Sequence, residues 1–177
     1  MHRWERLFAD LEAQFAESEV GEMRAEVADR TRAELAKLRM ADRLRAAPPV
    51  HELSIWTVGG ATARGPVRSS GPDWVLLAEP GGIETVVALA SAIKIAGLGR
   101  RASVPGSEGR VAGRLRLSYV LRGIARDRAP VVVSLIDGST LTGIIDRVGA
   151  DHIDVGQEVG GATTVPFTAL ALVRRGR

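Results

Sequence analysis

Cysteine is absent from the 177 residues, which excludes disulfides, thiolate metal ligands and cysteine nucleophiles. Histidine is scarce. His2, His51 and His152 stand far apart, with no His-x-x-x-His or Glu-x-x-His spacing to set two ligands on one face, so no metal site is expected. Lysine occurs only at Lys37 and Lys94, and aromatic residues make up 4% of the chain, too few for an extended base-stacking surface. Long apolar runs are missing as well. The longest candidate, Thr85 to Leu98, is interrupted by Ser91 and Lys94 and falls short of the ~18 residues a membrane span needs. No phosphate loop or nucleophile elbow is found, so neither an enzyme nor a cofactor is expected. The N-terminal stretch MHRWERLFADLEAQF carries acids and an amphipathic period in place of a signal peptide's apolar region, so the expected location is cytoplasmic, with no membrane partner.

What is present is a repeat. Shifting the chain by 78 positions lays Gly60 on Gly138, Gly65 on Gly143, Gly71 on Gly149, Asp73 on Asp151 and Val75 on Ile153. Each copy reads as five short strands separated by glycine turns. From Leu53, Ile55 and Val58 through Trp74 to Leu77 and on to Ile95, and again from Val131 to Val173, the pattern suits a small, strongly bent barrel.

Ahead of the repeats the period is helical. Trp4, Leu7, Phe8, Leu11 and Phe15 fall at i, i+3, i+4, i+7 and i+11, one face of an amphipathic helix suited to docking on a core or partner helix. Gly21 marks a break, and a second helix is expected from Glu22 to Ala46 with Met23, Val27, Leu35, Leu38 and Leu44 as its apolar positions. Pro48-Pro49 ends it. Between the repeats, 97–109 reads as a linker, and 110–126 as a helix with Val111, Leu115, Tyr119 and Ile124 or Leu121 on its apolar side and arginines on the other. The expected organisation is a helical region at 1–47, a first barrel at 50–98, a basic linker and helix at 99–128, and a second barrel at 129–177.

Charge is distributed unevenly. Residues 94–128 hold nine basic side chains against Glu108 and Asp127, whereas 130–173 hold Arg147 against Asp137, Asp146, Asp151, Asp154 and Glu158. Arg100, Arg101, Arg110, Arg114, Arg116 and Arg122 are the candidate phosphate-contacting residues, because a guanidinium pairs bidentately with phosphate.

The second copy carries a resemblance. In VVVSLIDGSTLTGIIDRVGADHIDV, the residues Val133, Leu135, Gly138, Leu141, Gly143, Ile145, Asp151 and Ile153 follow the first signature of the Sm-like proteins (Sm, LSm and Hfq-type) in order. That signature is an apolar strand, a turn ending in glycine, an apolar residue, a second glycine and an aspartate opening the next strand. The closing strand, Val165 to Val173, is similar to the Hfq-type ending, and the first copy matches more weakly. The resemblance implies a small SH3-like barrel, assembly into rings by strand addition, and RNA as a ligand. The base-reading positions depart from it. Leu77 and Val155 stand where Sm proteins have asparagine, and Pro166-Phe167-Thr168 replaces a Tyr-Lys-His triplet.

The expected fold is α+β, with N-terminal amphipathic helices followed by two five-stranded Sm-like barrels joined by a basic helical connector. Two functions are expected of it. One is a non-catalytic nucleic-acid-associated protein, RNA-binding or a DNA-binding regulator, using the connector arginines. The alternative is a protein-interaction or assembly module, a homo-oligomer through edge strands with the N-terminal helices binding a partner.

Overall fold

The computed structural model describes Gly21 and residues 23–104, 115–157 and 160–176. The expected partner-helix face of Trp4, Leu7, Phe8, Leu11 and Phe15 lies outside the described residues. The chain divides into two compact units, Met1–Leu38 and Arg39–Arg177.

In the first unit, residues 23–36 form helix α1. Arg32 pairs with Asp29, and Lys37 with Glu34 at 2.7 Å, so the polar positions are joined three residues apart along the helix. Met23, Val27 and Leu35 are exposed. The helix expected to run to Ala46 stops at 36 and restarts as α2 (Met40–Arg45). Arg39 is extended there (φ −92°, ψ 156°), and its N–H donates to Asp42 Oδ2 at 2.9 Å. A carboxylate that caps a backbone N–H from inside the next turn makes a new helix start.

The second unit is mostly sheet. The strands are β1 (Glu52–Thr57), β2 (Thr62–Ser70), β3 (Trp74–Ala78), β4 (Glu84–Ala88), β5 (Ala92–Ala96), β6 (Pro130–Leu135), β7 (Thr140–Val148), β8 (His152–Gln157), β9 (Gly161–Pro166) and β10 (Leu170–Arg175). Helix α3 (Leu117–Asp127) precedes β6. In β1, alternation buries Leu53, Ile55 and Thr57, as a pleat with one face on a core requires.

The 78-residue shift seen in sequence is reproduced in the hydrogen bonds. Thr57 N donates to Ala61 O and Leu135 N to Ser139 O, both at 2.9 Å; Val58 N bonds Ser91 O and Ile136 N bonds Ala169 O. Pairing follows suit, with Ile55 opposite Ala63 and Val133 opposite Leu141. Each copy of the bulge in the second strand falls at the same place, between Val67 and Ser69 and between Ile145 and Arg147. Both copies turn between their first two strands on a left-handed glycine, Gly60 (φ +85°) and Gly138 (φ +89°), a conformation costly for any residue with a Cβ.

Two barrels joined by a basic helical connector are not what forms. All ten strands make one antiparallel sheet in the order β5-β1-β2-β3-β4-β10-β6-β7-β8-β9, open at β5 and β9. The reason is a seam. β10 pairs with β4, Leu172 opposite Val87 and Arg175 opposite Glu84, so the last strand of the second copy closes onto the fourth strand of the first. The cores are shared across it. Leu172 packs with Leu53, Ile55, Leu77 and Val87, while Trp74, Val86 and Ala88 pack with α3 and the strands of the second copy. Burying such side chains contributes roughly 1.5–3 kcal/mol each. The region 110–126 is not a free connector either. Within its described part, α3 starts at Leu117 and buries Leu117, Leu121 and Ile124 in that shared core.

Candidate functional site

Helix α3 is held at its start by the first copy. Its N-cap, Arg116, makes no side-chain cap bond, and Leu117 N donates instead to Asp73 Oδ1 at 3.0 Å. Trp74 Nε1 donates to Leu115 O at 2.8 Å. Gly71 makes room, since a Cβ there would sit 2.1 Å from Trp74 Nε1 and 2.5 Å from Leu115 O. At its end Arg128 adopts the left-handed conformation (φ 51°), and its guanidinium meets Asp146 at 3.2 Å.

With Leu117, Leu121 and Ile124 inward, the outward face of α3 presents Arg116, Tyr119, Arg122 and Arg126. The spacing i, i+3, i+6 and i+10 keeps them on one side. Tyr119 is 56% exposed, which overturns its assignment to the apolar side. Arg116 is 73% exposed and 3.9 Å from Asp73 Oδ2, and Arg122 donates to Gly149 O at 3.3 Å. Of the six candidate arginines, Arg116 and Arg122 thus share a surface. Arg100 and Arg101 are exposed in the stretch after β5, which bonds to α2 through Arg43 and Asp42, and Arg110 and Arg114 lie outside the described residues. Tyr119 and Arg126 were missed as partners of that face. Their signal was the i, i+4, i+7 spacing of Leu117, Leu121 and Ile124, obscured by counting the apolar stripe from Val111.

The described aspartates of the second copy each have a partner. Asp137 accepts from Ser139 N at 2.9 Å and Ser139 Oγ at 2.6 Å, and those bonds hold its carboxyl below the usual aspartate range. Asp151 is lowered likewise by the hydrogen bond from His152 Nδ1, 2.9 Å away. Asp154 accepts from Thr164 Oγ1 at 2.6 Å. Among the described residues no three His, Asp or Glu side chains are placed to hold a metal ion. A surface cavity of about 510 Å³ lies beside Pro130, Gly143 and Gly156, but its two charged groups, Arg128 and Asp146, pair with each other. It therefore presents no free acid or base.

The remaining surfaces are the sheet edges. Among the described residues β5 has only β1 beside it and β9 only β8, so the outer row of backbone N–H and C=O groups on each lacks a strand partner there. Lys94 on β5 is drawn toward β1, its Nζ 4.3 Å from the centre of the Trp56 ring.

Among the described residues no helix is long and apolar enough to cross a membrane. No family model matches the chain, and no curated protein matches it.

Proposed function

We propose that the chain is a non-catalytic assembly module that recruits a further strand to its open sheet edges. The observation that supports this most directly is the seam. In β4–β10 the fourth strand of one copy accepts the fifth strand of the other, and the sheet then stops at a fifth strand, β5, and a fourth strand, β9, without their counterparts. Backbone pairing at an exposed edge is a general mode of recognition. The resemblance of 130–173 to Sm-like proteins, whose members assemble by strand addition, belongs to this proposal. Light scattering on the purified chain over a range of concentrations tests it. Association that Ile95→Pro or Thr164→Pro abolishes is expected, because proline removes a ladder donor; association unchanged by both substitutions, or none at any concentration, rejects it.

A second reading has its own observation, the exposed Arg116–Tyr119–Arg122–Arg126 face of α3. Arginines flanking an aromatic ring suit a nucleic-acid strand, phosphates on the guanidinium groups and a base on the ring. Fluorescence anisotropy of a labelled single-stranded RNA and a duplex DNA tests this reading. Binding that weakens with salt and is lost in R116A/R122A/R126A supports it, and no binding at low salt removes it.

A further inference from the structure

The surface cavity beside Pro130 is built in a way the repeat does not require. Its wall crosses β6, β7 and β8, with Pro130 opposite Ile144 and Ile144 opposite Gly156. These positions alternate with Val131, Val133 and Ile145, which belong to the shared core, so the cavity lies on the other face of the sheet. At about 510 Å³ it has the size of a small-molecule site, roughly 300–1,000 Å³. We propose that it binds a free α-amino acid with an apolar side chain. The carboxylate lies on Arg128, the ammonium on Asp146 and the side chain over Pro130 and Ile144.

The charges select that class. Arg128 Nη2 stands 3.2 Å from Asp146 Oδ1, and the two side chains are 63% and 41% exposed. Charges that answer each other draw neither a plain anion nor a plain cation. A ligand with both signs on one carbon is different, because it replaces one exposed pair, which contributes little in water, with two pairs of complementary sign. The existing contact engages one nitrogen and one oxygen, which leaves the rest of the guanidinium fork and Asp146 Oδ2 to the ligand.

The backbone sets that pair in place. Arg128 ends α3 and, among the described residues, is the one non-glycine with a positive φ, 51°. Glycine is the usual occupant of such a helix end, and strained backbone of this kind is kept at ligand clamps. Gly156 makes room for the acid, since a Cβ there would stand 2.2 Å from Asp146 Oδ2.

The first copy shows that the fold demands neither feature. On strands paired in the same register, the 78-residue shift puts Val50 for Arg128, Arg68 for Asp146 and Ala78 for Gly156. Gly143, by contrast, keeps its counterpart Gly65. At each of those two a Cβ would fall 2.1 Å from a carbonyl oxygen of the adjacent strand, so that glycine serves the sheet and Gly156 serves the cavity.

A second cavity of about 340 Å³ shares Pro130 and Thr142 with the first and continues past Ile83 and Val132. The apolar wall therefore extends beyond the charged end, and a leucine-sized side chain buries more surface there than a methyl group does.

Isothermal titration calorimetry of the whole chain tests the site with L-leucine, L-alanine, 4-methylpentanoate and isopentylamine. Leucine is expected to bind and alanine to bind more weakly. The acid and the amine, each lacking one charge of leucine, should bind about tenfold more weakly or worse. Arg128→Gly removes the guanidinium and relieves the backbone, so it should abolish binding with thermal stability unimpaired. Gly156→Ala, which installs the first copy's residue, should abolish binding with native circular dichroism. No heat at millimolar leucine overturns the site. So does binding of the acid or the amine as tight as leucine, or leucine binding unchanged in both Arg128→Gly and Asp146→Asn.

Discussion

The seam inside the sheet and the two strands at its ends are products of one repeat, yet they are finished differently. At the seam, Arg174 and Arg175 are locked to Glu79, Glu84 and Asp127; at the ends, the corresponding positions are Ala96, Gly97, Gln157 and Ala162. The same contrast separates two sockets. Gly71, Asp73 and Trp74 hold the start of α3, whereas at the equivalent place Gly149 O accepts from the Arg122 guanidinium, Asp151 O accepts from Phe167 N, and the Asp151 side chain meets its neighbour His152. The His152 ring lies over Gly149, 2.4 Å from where a Cβ would stand, and Asp151 is 90% exposed. The same strand pattern is thus clamped by side chains at the seam, and the residues of that clamp are replaced at the outer ends.

The comparison can be broken most forcefully at the sockets. Trp74 is buried in the shared core, so Trp74→Ala is expected to cost about 3–5 kcal/mol of unfolding free energy. His152→Ala, at the equivalent position, should cost under ~0.5 kcal/mol. Urea denaturation followed by circular dichroism measures both. Equal losses would mean the sockets do the same structural work.

Next in size is the clamp. Removing Arg174 leaves the carboxylate of Glu79, whose side chain is 14% exposed, without its partner. Glu79 Oε1 already has no hydrogen-bond partner, so Arg174→Ala should destabilise by about 1–3 kcal/mol. The converse change sharpens the contrast: Ala96→Arg with Gln157→Glu builds the clamp at the outer edges. On the assembly proposal, association should then tighten several-fold, in line with the ~0.2–1 kcal/mol of an exposed pair, and it should become more sensitive to salt. Sedimentation velocity at two salt concentrations reads both effects.

Asp73→Ala removes the carboxylate that caps Leu117 N at the start of α3 and should cost about 1 kcal/mol, while Asp151→Ala should leave thermal stability unchanged. The smallest effect concerns pH. Asp137 has a carboxyl lowered by Ser139 in the folded chain. Its contribution is therefore present above the ordinary aspartate value of about 4 and is lost as pH falls below it. Asp137→Asn should flatten the acid limb of the stability curve slightly and leave neutral pH untouched.

Much of the local structure was legible because it is governed by nearby residues. Strand alternation in Leu53, Ile55 and Val133, and the glycines at 60 and 138, depend on pleat and turn geometry alone, and they were readable from one copy. The α3 face was only half legible. Arg116 and Arg122 carried an obvious charge, but the position of Tyr119 followed from which of two competing apolar stripes the core selected. That choice depended on Trp74, Val86 and Ala88, which lie more than 25 residues away in sequence.

By itself the amino-acid order determined a 78-residue repeat, the turns within it and a chain without cysteine or a histidine cluster. Only the tertiary structure decided that the copies merge. Two closed barrels and one open sheet use the same strands and the same alternation. What separates them is which strand β4 accepts, and long-range backbone pairing leaves no periodicity in the sequence. It is settled by burial of Leu172 against the first copy and by the charges of Arg174 and Arg175 meeting Glu79 and Glu84 across the seam.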